Sequence, residues 1–576
     1  MMGKKKLLLC MGIALALLSG CGNAENNENR ENLGTPTETI SEDAGALTPV
    51  PTEISAVTNT PVPVDTPVPT LTLAPTVTPA PTDTPAPTLT PTPRTLDINE
   101  YVMVCDGNGE TQVNADVSTL KTYADTPEYK LTVLFEDGTY DEQRILSDTK
   151  NISAAFDKAI AKYEIVPVYK FSLGNDKATG TQGYAKVKKA NVFEENTDYG
   201  FIGNVDSCFL GMSFKTTESY FALVIPDGLY DVTVKKTEDG RTTMMLNDGA
   251  FAINVGINGN GRKGSIDRTY TAKDVAVTDN LARISVSGGQ NIALIELVRA
   301  SSLVPRKTHI YIAGDSTVAT YYPRTFTKEP DDGTAQTGWG QVFEYYTTDD
   351  VIVDPLGSGG TYARSWYEMY FKGIMNNAHA GDYFIIQEGI NDRSYSSVSE
   401  MVEYLTIMID WCRENQVIPV LVTSQQSVKF WKDAGGNDVG EYGEPEGSSL
   451  NAFMVAIRDL AGEKNVFLVD NAALTGAWYK TVGRTYVAEH YHLFNASTNT
   501  SADTLHLSYA GAKKIAEMIA TNLYEQIIGN ATDENGNTLS GIKLNDLTEY
   551  NFTYTNSDGE TVERVIRAVY FDGYRG

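Results

Sequence analysis

The sequence predicts an α/β domain, an open parallel sheet with helices on both faces, preceded by an all-β domain of jelly-roll type. Three observations carry this expectation. Between residues 304 and 530, short apolar runs alternate with helical patterns; the runs are His309-Ile310-Tyr311-Ile312-Ala313, Val351-Ile352-Val353, and residues 382–387, 417–423 and 465–470. That alternation implies parallel strands joined by helical crossovers. The last helix of this region shows core spacing at Ala512, Ile515, Ile519, Leu523 and Ile527, with Gly529 as a stop. Residues 167–303, in contrast, place runs at 168–172, 219–224, 230–234 and 292–297 between Gly, Asn and Asp turns, the pattern of an antiparallel fold.

From the N-terminus, residues 1–20 have the form of an export signal, with Lys4, Lys5 and Lys6 ahead of an apolar stretch from Leu7 to Leu18. Leu18-Ser19-Gly20-Cys21 resembles a lipoprotein cleavage box, which implies a lipid on Cys21 and a protein held at the outer cell surface by that anchor. Cys10 would leave with the signal, so Cys105, Cys208 and Cys412 remain, odd in number and far apart. A disulfide framework is not expected from them.

Residues 21–96 form a polar segment that becomes Pro- and Thr-rich and holds more than half of the 23 prolines. Such composition cannot bury enough apolar surface to offset chain entropy, so an extended stalk is expected. At ~3 Å per residue, about sixty of these residues would reach on the order of 150 Å or more if fully stretched. Residues 97–166 carry strand signals, including a hairpin pattern around Asp137-Gly138. Residues 531–576 repeat that pattern without gaps, Glu549-Tyr550 matching Glu128-Tyr129 and Asp558-Gly559 matching the turn.

A net charge of −28 and a pI near 4.6 argue against nucleic acid as a partner. Acidity does not exclude an anionic polymer, because screening confines surface fields to ~8–10 Å at physiological salt.

The chemistry-bearing motifs lie in the α/β region. Gly314-Asp315-Ser316-Thr317 directly follows an apolar run, which puts Ser316 where a buried strand ends, and in open α/β sheets ligands bind at the carboxyl ends of the strands. Asp503-Thr504-Leu505-His506 offers an imidazole base, with a carboxylate three residues upstream to orient it. Glycines at 357, 359 and 360 follow a second strand, and Gly389-Ile390-Asn391-Asp392 a third. The amides of Ser316 and Gly360 with the side-chain amide of Asn391 could supply donors to an oxyanion.

In order and spacing, these blocks resemble the SGNH (GDSL-type) hydrolase superfamily, whose sheet is flavodoxin-like. Asp315-Ser316-Thr317-Val318-Ala319, Gly338-Trp339-Gly340-Gln341, Ala363-Arg364-Ser365-Trp366 and Thr504-Leu505-His506-Leu507-Ser508 look like its rhamnogalacturonan acetylesterase branch. The likeness covers roughly residues 306 to 529. It implies Ser316 as nucleophile, His506 as base, Asp503 as its partner, and Ser316, Gly360 and Asn391 as oxyanion donors. Residues 167–303 likewise resemble the galactose-binding-like β-sandwiches that precede such esterases.

Two departures stand out. Ile390 occupies a position where the pattern commonly has His, and Asp354-Pro355-Leu356-Gly357 replaces an Asn and Ala ahead of the glycines. Asp315 and Asp392 read as loop-bracing carboxylates, Arg364 as a brace of the second block and Trp339 as a core residue. His490 and His492 form an i, i+2 pair that could face a metal, but they read better as wall or core residues. No cofactor and no metal are expected. The resemblance implies a serine esterase that removes acetyl groups from plant cell-wall polysaccharide or its oligosaccharides. A lipase-type esterase and a glycan-binding protein with an inactive hydrolase domain are the alternatives.

Overall fold

The structure is a computed structural model that describes residues 94–173, 183–188, 190–203, 216–236, 242–253, 269–287, 292–321, 336–347, 351–428, 431–432, 438–439, 449–494, 502–523 and 547–569. The expected signal, Cys21 and all but the last three residues of the expected stalk lie outside them. Those last three are docked. Arg94 pairs with Asp198 at 3.4 Å and donates to the Thr197 carbonyl at 2.8 Å, while Leu96 packs against a buried apolar cluster. Residues 94–96, expected to belong to the stalk, thus pack against the β-rich half, because an apolar and a charged residue find partners there.

The β-rich half contains an eight-stranded and a five-stranded sheet. Phe171, Val232 and Ile295 of the first sheet and Phe221, Met244 and Ile284 of the second share one buried core. Strand Ile160–Leu173 pairs at its start with Glu128–Phe135 and at its end with Ile292–Arg299. The boundary expected at residue 166 therefore falls inside a single 14-residue strand. The hairpin of Glu128–Phe135 and Tyr140–Leu146 turns at Gly138 with φ 84°, and the hairpin of Leu547–Thr555 and Thr561–Val569 turns at Gly559 with φ 80°. Both glycines occupy the left-handed region that tight hairpins favour.

The α/β region has a parallel sheet of β1 (Thr308–Gly314), β2 (Val351–Pro355), β3 (Tyr383–Gln387), β4 (Ile418–Val422) and β5 (Phe467–Val469). Its spatial order is β2-β1-β3-β4-β5, the doubly wound order whose switch point lies between the first and third strands. Asp382 stands just ahead of β3 and ties strand starts together, accepting from Arg306 twice at 2.7 Å and from the His309 amide at 2.9 Å.

Alternation along the strands builds two cores. Ile310, Ile312, Ile385, Val420 and Val469 face one side, where α1 (Trp339–Val342), α6 (Asn471–Val482), α7 (Arg484–Tyr491) and α8 (Tyr509–Leu523) pack. Tyr311, Ala313, Phe384, Ile386 and Leu421 face the other, covered by α2 (Ala363–Asn377), α4 (Val398–Glu414) and α5 (Ser449–Lys464). In α8, Ala512, Ile515, Ile519 and Leu523 are all buried. At the α2 surface a Cβ on Gly373 would stand 2.0 Å from the Ala250 carbonyl, so only glycine lets this helix dock on strand Gly249–Ala252.

Candidate active site

Four segments converge beside the switch point: the turns after β1, β2 and β3 and the stretch that precedes α8. The turn after β1 is set by Asp315, whose Oδ1 accepts from the Thr317 amide at 2.7 Å and from its hydroxyl at 2.9 Å. Tyr321 then donates its hydroxyl to the Ser316 carbonyl at 2.8 Å. Trp339, fully buried at the start of α1, donates Nε1 to Gln387 Oε1 at 3.0 Å, and Gln387 Nε2 donates to Thr317 Oγ1 at 2.7 Å. A continuous chain of hydrogen bonds therefore holds the serine turn against the end of β3.

The loop that carries Asp503 and His506 arrives on the short strand Ala502–Leu507, just ahead of α8. Gln425 at the end of β4 donates to the Leu505 carbonyl at 2.7 Å, and the Thr337 amide donates to the Leu507 carbonyl at 3.1 Å. His506 Nε2 then lies 3.0 Å from Ser316 Oγ, and His506 Nδ1 lies 3.0 Å from Asp503 Oδ2. Asp503 Oδ1 accepts from the amides of Leu505 and His506, both at 2.8 Å. Burial opposes ionisation of Asp503, but His506 and these amides outweigh it and hold the carboxyl well below its usual range. The hydrogen bond with Asp503 in turn raises the basicity of His506.

On the opposite side, Asn391 Nδ2 donates to the Thr361 carbonyl at 2.9 Å and joins the third block to the second. Gly360 has φ 87°, a conformation that glycine adopts without strain. Neither its amide nor that of Ser316 finds a hydrogen-bond partner among the described residues. Both remain available to a ligand.

Relatives carry esterase names over nearly their whole length. The chain is 25% identical over 384 residues to the uncharacterized esterase YxiM of Bacillus subtilis, covering 62% of this chain and 91% of that protein. It is 28% identical over 235 residues to the rhamnogalacturonan acetylesterase RhgT of the same organism, covering 39% and 92%. This chain is a carboxylic ester hydrolase. The same relatives support the SGNH (GDSL-type) hydrolase superfamily. The crystal structure of Bacillus subtilis YxiM matches the esterase fold with a TM-score of 0.50 at 24% identity, over 63% of this chain and 99% of that one. No family model matches the chain.

The esterase has a buried acidic cluster in which Asp315 and Asp392 brace loops as their sequence context suggested, and to which Glu388, not singled out from the sequence, belongs. Glu388 Oε1 accepts from Thr361 Oγ1 at 3.2 Å, while Glu388 Oε2 and Asp315 Oδ2 are buried without a hydrogen-bond partner. Asp392 accepts from the Gly389 amide at 2.9 Å and braces the Ala363 amide at 3.3 Å. Burial pushes Asp315 and Asp392 up to about 6, and burial with repulsion from both lifts Glu388 well above its ordinary value. Three acidic residues just past strand ends were the available signal.

Other sequence-derived residues have structural partners. Arg364 is exposed and pairs with Glu368 at 2.8 Å and Glu400 at 3.0 Å, so it braces α2 against α4. His490 is exposed and stacked on Tyr486, whereas His492 is buried with Nδ1 3.0 Å from the Asp503 carbonyl. Desolvation lowers His492 to about 4, so its ring is neutral at physiological pH. The two imidazoles turn to different partners.

Proposed function

We propose that this esterase removes acetyl groups from plant cell-wall polysaccharide, of the rhamnogalacturonan or xylan class, through a Ser-His-Asp acyl-enzyme route. The 3.0 Å separation of Ser316 Oγ from His506 Nε2, with Asp503 behind the imidazole, carries the reading. The rhamnogalacturonan acetylesterase name of RhgT supports the carbohydrate class.

In this reading His506 Nε2 takes the proton from Ser316 Oγ as the oxygen attacks the acetyl carbonyl. The tetrahedral oxyanion is received by the amides of Ser316 and Gly360 and by Asn391 Nδ2. Collapse breaks the bond to the sugar oxygen, which leaves with the proton from His506. Water then enters, loses its proton to the same imidazole as its oxygen bonds to the acyl carbon, and acetate departs as the bond to Ser316 Oγ breaks and His506 returns the proton to that oxygen. Asp503 holds the required tautomer and stabilises the imidazolium throughout.

We further propose that Cys21 carries a lipid and that the Pro- and Thr-rich segment holds the enzyme away from the membrane, readings supported by the residue pattern alone. Replacing Cys21 with Ser should then release activity from the membrane fraction. The catalytic test is acetate release from acetylated oligosaccharide by Ser316→Ala. Retained turnover in that variant would remove Ser316 from the chemistry.

A further inference from the structure

The carbohydrate reading leaves open where a sugar ring would rest, and two tyrosines stand next to the loops that meet at the site. Tyr362 directly follows Thr361, whose carbonyl accepts from Asn391 Nδ2. Tyr395 ends α3 (Asp392–Tyr395), and its amide donates to the Asn391 carbonyl at 3.1 Å. The same asparagine thus anchors both aromatic residues through its side chain and its backbone. Their rings stack with centroids 5.8 Å apart and planes 27° from parallel.

Tyr395 is 68% exposed, more than any other large hydrophobic residue among those described. One face of its ring meets Tyr362, which leaves the other toward solvent. A flat ring held this way keeps little rotational freedom to lose on binding, and an aromatic face offers a partly negative surface to polarised C–H groups. Arg393, two residues away, is also exposed, and its side chain makes no hydrogen bond or ion pair among the described residues. Its guanidinium lies on the same four-residue helix as Tyr395 and acts electrostatically on Asp315, and its hydrogen-bond donors remain for a ligand.

We propose that Tyr395, backed by Tyr362, is a sugar-binding platform that stacks on the C–H face of a pyranose unit next to the acetylated one, with Arg393 donating to that unit's oxygens. This rests on the carbohydrate reading above. An aromatic surface with flanking donors suits a ring that is apolar on its faces and polar at its rim. It also gives the esterase a means of favouring polymeric substrates over small acetates, since a simple ester has no ring to reach the platform.

The test compares kcat/KM of the full chain and its Tyr395→Ala and Tyr395→Trp variants on acetylated xylo-oligosaccharide, acetylated rhamnogalacturonan oligosaccharide and p-nitrophenyl acetate. The expected result is a fall of about five- to tenfold in the oligosaccharide-to-nitrophenyl ratio for Tyr395→Ala, as for loss of one aromatic stack, with the effect mainly in KM. Tyr395→Trp should restore the ratio. A parallel loss on all three esters, or an unchanged ratio, overturns the platform. Calorimetric binding of the same oligosaccharides to Ser316→Ala, with and without Tyr395→Ala, needs no turnover. It separates a missing platform from a wrong catalytic reading, because binding that Tyr395→Ala weakens supports the platform even where no acetate is released, and binding that it leaves unchanged overturns it.

Discussion

His309, at the second position of β1, reaches Asp274 of the β-rich half with its Nε2 at 3.2 Å while its Nδ1 meets Asp354 of β2 at 2.6 Å. One buried imidazole therefore joins the catalytic sheet to the strands that precede it. Asp274 adopts φ 53° to reach it, a backbone conformation that costs energy in a non-glycine residue. The Ala276 amide, two residues on, donates to Asn377 Oδ1 at 2.9 Å and secures the same junction.

That junction predicts an alkaline weakness. Burial disfavours a charged His309, but the two carboxylates outweigh it and raise the imidazole from 6.5 to about 9. A raised basic group stabilises fully below its unfolded value, and its contribution is lost as pH rises through the folded one. The loss should span about pH 6.5 to 9 and amount to a few kcal/mol at most. Thermal melts across that range should show a steeper decline in Tm for the native chain than for Asp274→Asn.

The proposed catalytic pair, His506 and Asp503, predicts the acid limb of activity. A base must be neutral to act, and the hydrogen bond with Asp503 raises His506 above its ordinary value. The kcat/KM for p-nitrophenyl acetate should thus rise with pH, with a midpoint above ~6.5. Asp503→Asn should lower kcat by about 10³- to 10⁴-fold, because the amide favours the wrong tautomer. A profile that is flat from pH 5 to 9 would contradict a titrating imidazole base.

Asn391 predicts a transition-state defect. Its side chain already anchors Thr361, and the proposed function assigns its second amide hydrogen to the oxyanion. Asn391→Ala should reduce kcat by about 10²- to 10³-fold. Single-turnover kinetics would assign the loss to the chemical step, and a change confined to KM would argue for a binding role instead.

Glu388 predicts stabilisation by neutralisation. With its carboxyl raised well above the ordinary value beside Asp315 and Asp392, the folded state favours a protonated group. The associated stability is complete below ~4.3 and is lost as pH rises. Glu388→Gln retains an acceptor for Thr361 and has no charge to bury, so its Tm should exceed that of the native chain at pH 8 and converge with it near pH 4. A lower Tm for the variant at pH 8 would show that the ionised carboxylate is needed.

Some of this was legible before any coordinates. Buried parallel strands are nearly continuous apolar runs, so the ends of β1 and β3, with the Gly-Asp-Ser and Gly-Ile-Asn-Asp turns beyond them, could be located from local pattern. The burial of the inner face of α8 followed from its helical spacing, and Trp339 is buried as its reading as a core residue had it. The imidazole–carboxylate partnership of His506 and Asp503 spans only three residues, which makes it a local feature too.

Other relationships join groups distant in the chain, and local pattern has no access to them. Ser316 and His506 are separated by 190 positions, and their 3.0 Å contact depends on Gln425 and Thr337 holding the intervening loop. The repulsion among Asp315, Glu388 and Asp392 arises because the turns after β1 and β3 share one dry volume. The His309 link to Asp274 needs two sheets to pack. The sequence alone determined which side chains are candidates for the chemistry and which strands could present them, because motif, periodicity and turn preference act over a few residues. Only tertiary structure decided their mutual distances, their desolvation and hence their protonation, because those depend on long-range packing.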